Sequence, residues 1–417
     1  MIKVEKIIPG GESLATDEFG KKLFFWNALP GEEVLEYQIT KKKSHYNRAI
    51  ATKIANASLH RVEPKDDCYL STSPWQIMDY GYELLTKQAL VKEVFHEHQI
   101  KIELPDIITD NNQFYYRNKM EYSLYYDHDS AEIFPAFHQR GSHRKIPITQ
   151  SSIERPEIFA AAKEIISELN QDGDEARRYQ SLLLRCNQKG EVSGGLYENG
   201  KPHPVFPNLT DDILGHKYSY SPNGFFQINL PVYELALKEI IKHINTNKVL
   251  DLYAGVGTIG LSVARDRELT LVECDKSAFG ELLANINRIK ETPLEGHIGG
   301  CYRDVSGPSP VKTGARNHVP EKGVSLIPIL AKSEDVLNYI APDQTVILDP
   351  PRAGCDAKLI QKLLEVQPPK IVYLSCNPAT QARDIKILLD KYHIDTIKTF
   401  NFFPRTPHIE NLVVLSL

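Results

Sequence analysis

The first 60 residues fall into short apolar runs, MIKVEKII, GGESLA, KKLFFWNAL, PGEEVLEYQIT and RAIATKIANAS, cut by glycine and proline turns. Strands packed this closely along the chain predict a small antiparallel β-barrel over residues 1–60. Residues 75–97, WQIMDYGYELLTKQALVKEVFHE, place apolar side chains at helical spacing and predict one amphipathic helix joining two domains. Residues 113–150 are β-rich, 153–170 are helical in pattern, and 179–206 are strands with turns at NQKG and ENGK. Together with the linking helix these define an α+β central domain over 61–220. From 221 to 417 the pattern changes: KVLDLYA, LTLVECD, SLIPILA, TVILDPP and KIVYLSC are apolar runs set among helical stretches, followed by TIKTFNFFP and LVVLSL. That alternation predicts a Rossmann-like α/β domain, a parallel sheet covered by helices. Residues 295–323, Gly/Pro-rich and irregular, read as an exposed insertion in it.

Composition narrows the class. The net charge of −5 excludes a uniformly basic nucleic-acid binder and leaves room for a local basic surface. The N-terminal stretch lacks the apolar segment of a signal peptide, and no run of about 18 apolar residues occurs. A cytoplasmic protein with no membrane span is expected, and a monomer. The six cysteines, Cys68, Cys186, Cys274, Cys301, Cys355 and Cys376, are scattered without a CxxC pair, which argues against a zinc site, an iron–sulfur cluster or a disulfide framework.

Chemistry concentrates in the last domain. VLDLYAGVGTIGL (249–261) is a strand, a glycine-rich turn and a helix start, where the backbone can approach a ligand closely. Glu273, about twenty residues after Asp251, ends the next strand and suits the ribose hydroxyls of an adenosine ligand. A dinucleotide and S-adenosyl-L-methionine both fit. Asp251, four residues before the first glycine, favours the cationic adenosylmethionine, because a carboxylate there would repel a pyrophosphate. In TVILDPPRAG the two prolines end a strand and leave Asp349 and Arg352 at the sheet's ligand-binding edge. YLSCNP sets Cys376 at the end of the neighbouring strand, and Arg405, His408 and Glu410 precede the last one. A lone strand-end cysteine is more often packing than nucleophile; its position beside a cofactor loop shifts that balance.

SPNGFFQIN, LDLYAGVGTIGL, DPPRAG, IVYLSCNPAT and FPRTPHIENLVVL, in this order and spacing, resemble the RNA uracil-5-methyltransferases. FYYRNKMEYSL and GSHRKIPI resemble segments of that family's central domain, and the barrel resembles a TRAM domain, an OB-like RNA-binding module. The resemblance covers the chain apart from 295–323. It implies an adenosylmethionine-dependent enzyme that makes 5-methyluridine in RNA, with Cys376 as nucleophile and Glu410 as base. It places cofactor contacts on Gln227, Tyr253, Glu273 and Asp349, with Thr258 where some members carry asparagine and Glu334 near a polar adenine contact. Many members also hold a [4Fe–4S] cluster on four cysteines; here DDCYLSTSPWQIM retains only Cys68, so no cluster is expected.

The chemistry matches those residue types. Uracil carbon 5 becomes nucleophilic only after a thiolate has added at carbon 6, and a separate base must then remove the carbon 5 proton. A free thiol has a pKa near 8.5, so the site must help ionise it, and Arg352 is the candidate for that support. A paired uridine hides carbon 6, so the RNA partner must offer an unpaired or flipped base. Candidate RNA contacts are Lys41, Lys42, Lys43 and Arg48 in the barrel and Tyr116, Arg117, Lys119, Arg140, His143 and Arg144 in the central domain. The run 41–48 reads equally as a solvated hairpin tip. The barrel favours large-subunit (23S) ribosomal RNA over the T-loop of transfer RNA. The competing readings are a non-catalytic RNA-binding or chaperone protein retaining the fold, a methyltransferase acting on another base, and a dehydrogenase.

Overall fold

A computed structural model describes residues 1–203, 206–291, 299–300, 303–304 and 325–417. The chain divides into two compact units: Met1–Glu93, Asn111–Pro207 and Phe403–His408 form the first, and Val94–Asp110, Asn208–Phe402 and Ile409–Leu417 the second.

The first unit opens with a closed barrel, as expected, but it is not wholly antiparallel: its third and fifth strands pair in parallel. Strands β1 (Ile2–Ile7), β2 (Ser13–Thr16), β3 (Lys22–Trp26), β4 (Glu33–Lys42) and β5 (Tyr46–Ala55) close in the order β1-β2-β3-β5-β4. Alternation along them turns Val4, Ala15, Leu23, Phe25, Val34, Ala49 and Ala51 into one core. A short helix α1 (Tyr69–Thr72) follows. Cys68 lies just before it, buried, with its thiol toward the Gln150 carbonyl at 3.8 Å. The segment is held by a buried polar network: Asp66 Oδ2 accepts from Gln76 Nε2 at 2.9 Å and from Ser152 N–H at 3.0 Å. Among the described residues, no three His, Cys, Asp or Glu side chains converge as metal ligands would.

The helix expected over 75–97 is shorter. Pro74–Ile77 form a 3-10 turn, Met78 is extended, and α2 spans Tyr80–Glu97. The break is capping chemistry: Asp79 Oδ1 accepts from Tyr82 N–H at 2.8 Å, satisfying a first-turn donor. The division between the units falls inside α2. The central sheet has the order β11-β10-β9-β6-β7-β8. Its strands are β6 (Lys119–Asp127), β7 (Glu132–His138), β8 (Lys145–Pro147), β9 (Tyr179–Cys186), β10 (Val192–Glu198) and β11 (Lys201–His203). Helix α3 (Pro156–Gln171) buries Ile158, Ala162, Ile166 and Leu169, one helical face.

Beyond Val94–Asp110, the second unit takes up the chain again at a hairpin with no separate signal in the sequence pattern, β12 (Leu209–Ile213) and β13 (His216–Tyr220), followed by α4 (Leu230–Ile241). Its main sheet is built from β14 (Lys248–Leu252), β15 (Glu268–Glu273), β16 (Gly299–Gly300), β17 (Arg303–Asp304), β18 (Ser325–Leu330), β19 (Gln344–Leu348), β20 (Lys370–Ser375), β21 (His393–Phe400) and β22 (Glu410–Ser416). The order is β16-β18-β15-β14-β19-β20-β22-β21, with β17 also paired to β18. All pairs are parallel except those of β22 with β20 and β21. Helices α5 (Thr258–Val263), α6 (Lys276–Glu291), α7 (Ala357–Val366) and α8 (Pro378–Leu388) connect the strands. The central strands are mostly apolar, as a sheet covered on both faces requires; β19 and β20 expose almost nothing. Apart from 299–300 and 303–304, the insertion at 295–323 and its Cys301 lie outside the described residues. Among the described residues no helix is long and apolar enough to cross a membrane.

Candidate active site

Strand register gathers the chemistry at one edge of the second unit's sheet. Leu252 pairs with both Val272 and Leu348, and Leu348 pairs with Tyr373. The next residues, Tyr253, Glu273 and Asp349, therefore emerge side by side at the carboxyl ends of the parallel strands, where open α/β sheets bind ligands. β22 runs the other way, so its first residue, Glu410, reaches the same edge. Ser375 pairs with Asn411, and extending that register by one sets Cys376 opposite Glu410. Gln227 lies in the turn before α4, Thr258 opens α5, and Glu334 sits in a 3-10 turn, Ser333–Asp335, after β18.

The glycine turn is a cradle. Gly255 has φ +57°, and a Cβ there would project into open space. Glu273 braces the turn: its Oε2 accepts from Gly255 N–H at 2.7 Å, and its Oε1 from Cys274 and Asp275 N–H at 2.7 and 2.6 Å. Gly260 leaves room for Asp251, whose Oδ2 accepts from Gly260 N–H at 2.9 Å; a Cβ there would lie 2.6 Å from that oxygen. Tyr253 takes φ +67° and shares a hydrogen bond with Ser333, next to Glu334. A left-handed tyrosine is strained backbone, tolerated where the surroundings over-determine it.

Asp251 is 1% exposed, and its Oδ1 is buried without a hydrogen-bond partner. Burial, opposed by Gly260 N–H and reinforced by Asp349 and Glu273, pushes its carboxyl up to about 8. The folded-state pKa thus exceeds the unfolded value of about 3.9, so the folded chain binds the extra proton between those limits. The stability it confers is full below pH ~4 and is lost as pH rises through ~8. Relative to Asp251→Asn, the wild-type protein without ligand should therefore lose stability steadily over that range. Urea unfolding of both proteins at several pH values checks this, and a difference between them that does not vary with pH would refute it.

Cys376 is half-buried immediately before Asn377, the N-cap of α8. Burial, together with Glu410 and Asp349, pushes its thiol up to about 11, while a hydrogen bond and the charge of Arg352 pull it down. The positive end of α8 acts in the same direction as Arg352. Glu410 is 5% exposed and its carboxyl is held well above the ordinary range by burial, then by Asp349, against the pull of Arg352. Burial likewise raises Asp349 to about 7. The half-buried Cys376 thiol thus lies between an exposed guanidinium, Arg352, and a buried carboxyl, Glu410, with further acids toward the glycine turn.

Two supports are not among the residues singled out from the sequence. Asn285 on α6 donates to the carbonyls of Ser219 and Val256 at 3.1 and 3.0 Å and accepts from Ser219 N–H at 2.7 Å, tying the β13 hairpin to the glycine turn. Asn377 Nδ2 and Thr380 Oγ1 both donate to the Arg352 carbonyl, at 2.8 and 3.2 Å.

The remaining candidates belong to the first unit. Lys41, Lys42, Lys43, His143 and Arg144 are exposed. Arg48 is exposed and pairs with Glu12 at 3.3 Å. Arg117 Nε donates to the Lys119 carbonyl at 2.9 Å, and burial with Arg185 nearby lowers Lys119 to about 8. Arg140 stacks on Trp26 at 4.2 Å and donates to the Leu70 carbonyl, and Tyr116 is buried with its hydroxyl on the Pro404 carbonyl at 2.9 Å. Arg405 is also buried in this unit: its N–H reaches Glu83 at 3.0 Å and its guanidinium the Met78 carbonyl at 2.7 Å, while His408 packs edge-on against Phe403.

Comparison with known proteins agrees with this geometry. Residues 335–417, which carry DPPR, Cys376 and Glu410, match the family model of tRNA (uracil-5-)-methyltransferases. The chain is 26% identical to an uncharacterized RNA methyltransferase of Bacillus anthracis, covering 95% of this chain and 92% of that one. A protein of the same description from Enterococcus faecalis is 27% identical, with 94% and 92% covered. The crystal structure of Pyrococcus abyssi tRNA (uracil-54, C5)-methyltransferase in complex with S-adenosyl-L-homocysteine superposes along the full length of both chains, with a TM-score of 0.70 at 22% identity, and so shares the fold. Residues 335–417, with the thiol and the carboxyl group set at adjoining strand ends, thus match the tRNA (uracil-5-)-methyltransferase model, and the chain is similar over most of its length to RNA methyltransferases.

Proposed function

We propose that the chain methylates carbon 5 of a uridine in RNA, using S-adenosyl-L-methionine, through a covalent adduct on Cys376 that Glu410 resolves. The observation that carries this reading is the pairing of Cys376 with a separate buried carboxylate, Glu410, across β20 and β22, with Arg352 on the thiol. A non-catalytic RNA binder would have no use for a buried acid facing a thiol. The unpartnered Asp251 Oδ1 and the open space at Gly255 suit a cationic ligand. Gln227, Tyr253, Thr258, Glu273, Glu334 and Asp349 would hold it, and when bound it supplies an electrophilic methyl group on a sulfonium.

The protein's own groups account for the rest. The Cys376 thiolate adds to uracil carbon 6, and the ring's electrons move onto the carbon 4 oxygen, giving an enolate that Arg352 can support. Carbon 5 would take the methyl group, the sulfur–methyl bond breaking with its electron pair left on the departing neutral thioether. Glu410 then removes the carbon 5 proton, the electron pair re-forms the 5,6 double bond, and the carbon–sulfur bond breaks to release the thiolate. In this reading residues 1–60 and 61–220 bind the RNA and 221–417 perform the chemistry. Phosphate contacts would fall on the exposed cations of the barrel hairpin and on Arg117, Lys119, Arg140, His143 and Arg144.

The barrel supports large-subunit ribosomal RNA as substrate, while the matched family model and the archaeal enzyme are named for transfer RNA. Incubation with methyl-labelled S-adenosylmethionine and total cellular RNA, followed by nucleoside analysis, should give labelled 5-methyluridine. Mapping its loss in a deletion strain assigns the RNA. Label in any other nucleoside, or in none, refutes the proposal.

A further inference from the structure

The α8 residues that follow the nucleophile form a clamp on the loop after β19. Asn377, Thr380 and Asp384 recur on one face of the helix. Asn377 and Thr380 hold the Arg352 carbonyl. Arg383 donates to the Ala353 carbonyl at 3.1 Å and pairs with Asp384 at 2.7 Å. Asp384 itself is 2% exposed, and its Oδ2 accepts from both Cys355 N–H and the Tyr373 hydroxyl, each at 2.9 Å. Gly354, at φ +80°, is the position that lets the loop close on the helix: a Cβ there would lie 2.6 Å from Arg383 and 2.7 Å from Asp384 Oδ2. Asp384 therefore ties together the helix that starts beside Cys376, the strand that delivers Cys376 and the loop that carries Asp349 and Arg352. The Cys355 thiol lies between the Tyr373 and Tyr253 hydroxyls and extends this link to the glycine turn.

We propose that Asp384 is a positioning residue for the reaction: it fixes the loop over 349–355 so that the Arg352 guanidinium rests on the Cys376 thiol and promotes its ionisation. This rests on the reading of Cys376 as the nucleophile. The charged and titratable groups facing that thiol are Glu410 from β22 and Asp349 and Arg352 from the loop, and Arg352 is the cation among them. Releasing the loop withdraws that cation. The direction is diagnostic, because deleting a carboxylate acting only through its field would make a thiol easier to ionise.

The test is the pH dependence of Cys376 alkylation by iodoacetamide in the full chain, followed by peptide mass mapping, alongside the rate of adduct formation with 5-fluorouridine RNA. Asp384→Ala should move the alkylation midpoint up by about one pH unit, an approximately tenfold slower reaction at a fixed pH below it. Asp384→Asn keeps an acceptor for Cys355 N–H and Tyr373, and should stay within about threefold of wild type. Thr380→Val removes one bond to the Arg352 carbonyl and should shift the midpoint the same way by less. A folded Asp384→Ala protein whose midpoint is unchanged or lowered overturns the proposal. If that variant does not fold, an unchanged midpoint in Thr380→Val overturns it. Wild-type Cys376 that alkylates normally yet forms no RNA adduct counts against the proposed function instead, and leaves the comparison of midpoints intact.

Discussion

Cys376→Ala should abolish methyl transfer, by roughly 10⁴-fold or more, while leaving S-adenosylmethionine binding within a few-fold of wild type. The loss is this large because, among the described residues, no other thiol stands opposite Glu410 at that sheet edge to activate carbon 5. Among the described cysteines, Cys355 is buried in the α8 clamp with its thiol pushed up to about 12, and Cys274 is exposed beside Glu273 on a different strand. The cofactor cradle is built from β14, β15 and the turn after β18, whose mutual register does not involve the Cys376 side chain. Binding and chemistry therefore separate. With 5-fluorouridine RNA the wild type should accumulate a stable covalent complex, because fluorine at carbon 5 cannot leave as a proton does. The variant should show none on a denaturing gel. Methylation that persists in Cys376→Ala, or an adduct mapped to another residue, would overturn the nucleophile assignment.

Much of this corner was legible in the sequence. Apolar runs ending in DPPR and SCNP imply strands that stop at a common edge, since proline ends a ladder and parallel strands align their carboxyl ends. The glycine turn and its acid after β15 followed from spacing alone. Three features were not legible. The 75–97 pattern read as one helix because apolar periodicity continues through Met78, whereas Asp79 capping decides the start. The β12–β13 hairpin is short, and its role depends on Asn285, a buried amide far along the chain. Asp384 looked like one more helix acid; only the fold brings Cys355 N–H and Tyr373 to it. Local pattern specifies elements and edges. Long-range polar partners, which hold the catalytic loops, emerge only when those elements are packed.

Arg405 illustrates the same point from the other side. It lies in the run leading to Glu410, yet its buried guanidinium and N–H bind Met78 and Glu83, and Lys87, wholly buried, pairs with Glu83 at 2.9 Å. Charges this deep are retained only when paired and hydrogen-bonded, and removing one partner is costly. The segment Phe403–His408 is thus anchored by structure-building contacts in the first unit, and the proposed base is left to Glu410, the first residue of the last strand.

Glu410→Gln should separate the two halves of the reaction. Glutamine keeps the size of the side chain but cannot accept the carbon 5 proton, so turnover should fall by about 10²–10⁴-fold. Adduct formation should survive, because the thiolate attack needs Arg352 and the α8 terminus rather than a base at residue 410. Removing the Glu410 charge also removes one of the influences that raise the Cys376 thiol, which favours attack. The expected result is a trapped complex with ordinary uridine-containing RNA, already methylated at carbon 5, that the wild type resolves too quickly to be seen. Gel shift under denaturing conditions and mass spectrometry of the digested complex would show both the link to Cys376 and the added methyl group. The raised carboxyl of Glu410 adds a second signature: as the base must be ionised, wild-type turnover should go on rising with pH above the ordinary carboxylate range, and Glu410→Gln should lose the part of that rise due to Glu410 and keep the part due to the Cys376 thiol. A variant that turns over normally, or one that forms neither adduct nor product while still binding RNA and cofactor, would reassign the base.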